Sequence, residues 1–158
     1  MVIKKEVLLL FSLSIILFLG GCNPNNQRDD LFLYKNTLLG DNSAVGSIVN
    51  QLEGAEHLKG FELRTNKEPY GLVLNYDLIE SEQAYEKLAI HNATFIFSLI
   101  QNVEWITFHF DIHNYAITKE QLQSWYDKDL SNYENEDDLK ALTQEYIDDK
   151  IKMEEFFQ

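Results

Sequence analysis

The spacing of apolar residues changes period along this chain in a set order, helix, strand pair, helix, strand pair, helix, helix, and that order leaves few folds open. Asp41, Asn42 or Ser43 can cap a first helix carrying Val45, Ile48, Val49 and Leu52 on one face, with Gly54 as its stop. From Leu58 to Tyr76 the period falls to two. Phe61 and Leu63 alternate with polar neighbours, Asn66-Lys67-Glu68-Pro69 turns the chain, and Tyr70, Leu72, Leu74 and Tyr76 alternate again, which predicts a β-hairpin. Ser81 opens a longer helix with Tyr85, Leu88, Ala89, Asn92, Ile96, Leu99 and Ile100 on one face. Phe95 and Phe97 widen that face until the second half is buried nearly all round, and Asn102 is the expected stop. Val103 to Phe110 reads as a strand with Ile106, Phe108 and Phe110 on the core side and Trp105, Thr107 and His109 on the other. His113-Asn114 is the expected turn into Tyr115 to Ile117. Thr118 with Gln121 resembles a capping box for a helix bearing Leu122, Trp125 and Tyr126, and Asn135 begins a last one bearing Leu139, Leu142, Tyr146 and Ile147.

Two αββ units followed by a helical C-terminus predict an α+β fold, a four-stranded antiparallel sheet with helices on one face, with strand order left open. The chain has one cysteine, Cys22, so no intramolecular disulfide is available and the fold must stand on its core alone.

That cysteine follows a basic start at Lys4 and Lys5, an apolar run from Val7 to Leu19, and the small pair Gly20-Gly21. A helix of about 13 residues rises only about 20 Å, whereas a span of the hydrocarbon core takes roughly 20 residues, so the run reads as a signal segment rather than a permanent transmembrane helix. Leu19-Gly20-Gly21-Cys22 resembles the lipobox of bacterial lipoprotein signal peptides. The resemblance implies a thioether-linked diacylglyceryl group on Cys22, cleavage before it, and residence on the extracytoplasmic face of the cell membrane. Two acyl chains suffice for stable attachment where one holds only marginally. The expected organisation is a signal peptide at 1–21, a polar tether at 22–30 (Asn23 to Asp30 has no apolar residue apart from a proline), and one domain at 31–158. Loss of the leader, with two lysines and one glutamate, moves the net charge from −13 to −14, which disfavours nucleic acid and anionic surfaces.

The runs Gly40-Asp41-Asn42-Ser43-Ala44-Val45-Gly46, Gly60-Phe61-Glu62-Leu63-Arg64-Thr65, Glu68-Pro69-Tyr70-Gly71 and Asn75-Tyr76 resemble an uncharacterised extracytoplasmic bacterial domain family of the domain-of-unknown-function type, over roughly Leu31 to Tyr126. Members of that family also occur attached to membrane metalloproteases related to the BlaR and MecR sensors. The resemblance implies an accessory or sensing module with an envelope or membrane protein partner, and it carries no catalytic residues over.

Chemistry-bearing motifs are sparse. HExxH, GxSxG, P-loop and dinucleotide fingerprints are absent, and no cofactor is implied. His109-x-Asp111-x-His113 could converge on zinc if the three shared one side of a strand, giving a metal-dependent hydrolase as an alternative. Ile106, Phe108, Phe110 and Ile112 are expected to claim the core face, leaving the trio exposed near a turn. Asp127, Asp129, Ser131, Tyr133, Asn135 and Asp138 fall at the spacing of a calcium loop, which would make a calcium-stabilised surface protein. Against it, Asn132 stands in the glycine place and Asp138 in that of the bidentate glutamate, while Asn135 as a helix cap explains the same letters. Asn92-Ala93-Thr94 fits a glycosylation sequon but falls within a helix, where packing is the simpler reading. The expectation is a lipid-anchored, non-catalytic interaction or sensing module.

Overall fold

The structure, a computed structural model, describes residues 30–77 and 81–158. The leader, Cys22 and the tether up to residue 29 lie outside the described residues. A 3-10 turn at Leu31–Tyr34 leads into helix α1 (Asn42–Val49), whose first amides are met by Asp41, the side chain accepting from Ala44 N. Val45, Ile48 and Val49 face inward, and Leu52 is buried just past the helix end. Gly54 does not stop α1; it sits at φ 69° and opens a short 3-10 turn, Ala55–His57, that feeds strand β1.

Strands β1 (Leu58–Arg64) and β2 (Gly71–Tyr76) pair antiparallel, with Phe61 opposite Leu74 and Leu63 opposite Leu72 on the core side. Helix α2 (Glu82–Leu99) follows, capped by Ser81, and leads to β3 (Trp105–Phe110), β4 (His113–Thr118) and α3 (Lys119–Tyr126). A 3-10 turn at Leu130–Asn132 precedes α4 (Glu136–Ile147) and α5 (Lys150–Phe157). The four strands lie in sequence order, β1-β2-β3-β4. The sheet is not wholly antiparallel as expected: β2 and β3 run parallel, Leu72 beside Ile106 and Leu74 beside Phe108. The cause is α2, about 27 Å long, which carries the chain back along the sheet so that β3 starts at the end where β2 started.

One face of the sheet, with Leu72, Leu74, Tyr76, Ile106, Phe108, Phe110 and Ile117, forms the core with α2. Helix α2 packs on the sheet with one side and on α4 and the Leu130 turn with the other, so residues 92 to 100 are buried throughout. The polar members of that run have partners. Thr94 Oγ1 lies 2.7 Å from Ile90 O and 2.8 Å from the Tyr126 hydroxyl, and Ser98 Oγ donates to Leu130 O at 2.9 Å. The sequon at Asn92 is thus interior packing. The other sheet face carries Glu62, Arg64, Asn75, Trp105, Thr107, His109, Asn114, Ala116 and Thr118, all exposed or half-buried.

Further expected boundaries shift. Helix α2 stops before Asn102: Ile100 is already extended and bridges Thr37, while Asn102 Oδ1 accepts from Leu39 N at 2.7 Å. The expected last helix is followed by another, α5, entered through Asp149, whose side chain accepts from Ile151 N and Lys152 N. Among the described residues no helix is long and apolar enough to cross a membrane.

Candidate functional site

The packing of α2 between sheet and α4 leaves a cleft where the loop after α1 meets both helices. Gln51, Leu52, Glu53, Gly54 and Glu56 form one wall, His91 and Phe95 from α2 the floor, and Glu136 and Lys140 from α4 the other wall, enclosing about 310 Å³. A shallower recess continues along α4 past Ala141 and Gln144 and shares Glu53, His91 and Lys140.

Each wall is fixed by the fold. Buried Asn92, next to His91, donates through Nδ2 to Glu53 O at 2.9 Å and to the Tyr76 hydroxyl at 3.1 Å, tying the loop to α2 and β2. Burial of Tyr76 pushes its hydroxyl up to about 12, partly offset by the Asn92 hydrogen bond. The His91 ring stacks on Phe95 at 4.8 Å, with Nδ1 3.1 Å from Asn92 Oδ1 and 3.5 Å from Glu53 Oε2. Lys140 Nζ sits 2.6 Å from Glu136 Oε1, one turn earlier on α4. Gln51 donates through Nε2 to Ser47 O at 3.0 Å, while its buried Oε1 has no hydrogen-bond partner.

The cleft therefore presents three carboxylates, one ammonium and one imidazole, the imidazole backed by the fully buried Phe95 ring. Such a set of charged groups around an imidazole suits recognition of a polar group through hydrogen bonds and ion pairing. Among the described lining residues there is no hydroxyl or thiol.

The residues singled out by spacing are dispersed instead. The β3–β4 turn is Asp111-Ile112, two residues before the expected one, because Phe110 pairs with His113 and Asp111 takes φ 52°, a conformation a short polar side chain tolerates. Ile112, expected in the core, is at the turn tip and 80% exposed. Parity then places His113 opposite Phe110 on the helix-covered face, 5.5 Å from Tyr85, and His109 opposite Asn114 on the open face, where the two side chains hydrogen-bond. His109 and His113 point to opposite sides of the sheet, so they cannot share one metal with Asp111.

The 127–138 stretch is not a calcium loop either. Asp127 takes φ 49° and ends α3. Asp129 accepts from Ser131 N at 2.9 Å and Ser131 Oγ at 2.7 Å, hydrogen bonds that hold its carboxyl below the usual range. Asn135 Oδ1 accepts from Asp138 N at 2.9 Å, and its amide donates to Asp138 Oδ2 at 2.7 Å. The Tyr133 carbonyl, which would face calcium, accepts from Lys35 Nζ, which also lies 2.6 Å from Glu134 Oε1. Among the described residues no group of three or more His, Cys, Asp or Glu is placed to hold a metal ion.

Glu53, His91 and Lys140 escaped sequence reasoning because they come from three separate elements, and no spacing links them. The only sequence signal is His91 four residues before Phe95 on a helix.

A family model described as a domain of unknown function (DUF4825) matches residues 31–120. No curated protein and no solved structure matches the chain.

Proposed function

The chain belongs to the DUF4825 family, and on that premise we propose that it is a lipid-anchored extracytoplasmic module that binds a protein or ligand without chemical conversion. The observation that carries the binding half is the cleft between the loop after α1, α2 and α4, lined by Glu53, His91 and Lys140, with His91 stacked on the buried Phe95 ring. Its volume of about 310 Å³ is at the lower end for small-molecule pockets, and it suits one side chain or a compact polar group of a larger partner. The location half is supported by Leu19-Gly20-Gly21-Cys22 after its apolar run.

Site-specific photo-crosslinking in intact cells tests the binding half. A crosslinker at Glu53 is expected to yield a discrete adduct that His91→Ala or Lys140→Ala removes, while one at Glu62 on the open sheet face yields none. A Glu53 profile identical to that of Glu62 would refute the reading. For the anchor, Cys22→Ala is expected to release the domain from membranes or leave the precursor uncleaved; a membrane-bound, processed Cys22→Ala protein would refute it.

A further inference from the structure

We propose that the segment just after the tether is a membrane-contact surface, with Leu33 and Leu38 resting in the interfacial layer of the bilayer that holds the lipid on Cys22. The inference rests on the anchored reading above and adds to it the face that the domain turns to the membrane. Leu33 is 75% and Leu38 52% exposed, in a domain whose other large exposed apolar side chains among the described residues are Ile112 and Ile151. Isolated exposed leucines are ordinary, but these two fall on the first run of the folded chain, the part that the anchor keeps within reach of lipid. Nine residue steps from Cys22 to Leu31 reach at most about 32 Å, so the 3-10 turn at Leu31–Tyr34 begins within that distance of Cys22.

The leucines are displayed rather than loose. Lys35 Nζ is bonded to the Tyr133 carbonyl and to Glu134, Thr37 N donates to Leu99 O at 3.1 Å, and Leu39 N is held by Asn102. The segment between these fixed points holds Leu33 and Leu38 outward while Leu31 and Leu39 fill the core. Ile112 precedes His113, which packs against Tyr85 in the first turn of α2, whereas Thr37 bridges Ile100 just past the other end of that helix. A contact too weak to bind a free domain becomes effective once the anchor makes it intramolecular. The occupant is lipid rather than protein on the ground of that reach, and the acyl interface accepts leucine where a strongly acidic surface would otherwise be repelled.

Lipidation consumes the only native thiol, so Leu33→Cys, Leu38→Cys, Ile112→Cys and Ile151→Cys can each carry a single environment-sensitive fluorophore on the acylated mature protein in phosphatidylcholine–phosphatidylglycerol vesicles. The expected result is a blue shift and several-fold brighter emission at positions 33 and 38 relative to 112 and 151, with quenching by brominated lipid. In unlabelled protein, amide exchange at residues 32–38 should slow on vesicles, and Leu33→Asp with Leu38→Asp should abolish that protection. Equal, water-like emission at all four positions with Cys22 shown by mass to be acylated would overturn the membrane-contact face and leave the anchor standing. Absence of the lipid mass on Cys22 would overturn both.

Discussion

Gly71 shows how one missing side chain shapes the open sheet face. A Cβ there would lie 2.0 Å from Trp105 Cε2, so the indole occupies the space above the glycine, from which its Nε1 donates to Pro69 O at 2.9 Å. Gly71→Ala must displace the ring, and a loss of about 1–3 kcal/mol in urea unfolding is expected. Gly60→Ala on neighbouring β1, where a Cβ meets nothing within 4 Å, should stay within about 0.5 kcal/mol. The Asn92–Tyr76 pair makes a second prediction at this scale. Tyr76 is pushed up to about 12 from 10.0, chiefly by burial. The unfolded chain therefore releases this proton first as pH rises, and stability complete below pH 10.0 drains away between 10.0 and about 12. Tyr76→Phe should flatten that part of the alkaline unfolding curve. Asn92→Ala, which also deprives Glu53 O of its donor, should cost about 2 kcal/mol or more at neutral pH.

At the scale of elements, the caps carry predictions of their own. Asn135→Ala removes the acceptor for Asp138 N at the start of α4 and should cost about 1 kcal/mol, read from the thermal midpoint. Millimolar calcium should leave that midpoint unchanged, since the oxygens of this stretch are committed to caps and to Lys35. The same elements show what was legible in the sequence. Helix starts at Asp41, Ser81, Thr118 and Asn135 were readable because a cap is a local contract between a side chain and an amide three residues on. The inward set Ile106, Phe108 and Phe110 was readable from period alone. Local signals misled where tertiary partners decided. Asn102 resembles a helix stop but serves Leu39 across the fold, and Asn114 resembles a turn residue but sits inside β4 facing His109. The two-residue slip of that turn carried Ile112 out of the core. The cleft was illegible for the same reason: Glu53, His91 and Lys140 meet only after α2 is packed.

At the scale of the molecule, the matched family region ends at residue 120, the second residue of α3, yet the core does not. Tyr126, Leu130, Leu139, Ile147, Met153 and Phe156 are buried with the rest, and Tyr126 bonds Thr94 in the middle of α2. Truncation after residue 120 should therefore strip one side of α2 and leave a collapsed chain, detected as lost near-ultraviolet dichroism with gained dye binding. A chain cut after Ala141 would still lose α5 and the Trp125–Phe156 contact, measured at 4.9 Å between rings. The parallel seam between β2 and β3 bears on how such a chain is born. Along the chain the β1–β2 hairpin comes well before β3, so Leu72, Val73 and Leu74 have one edge unpaired until α2 has folded back. The interval between those two hairpins is when this polypeptide is most open to sticking to its neighbours, and the closing of that seam ends it.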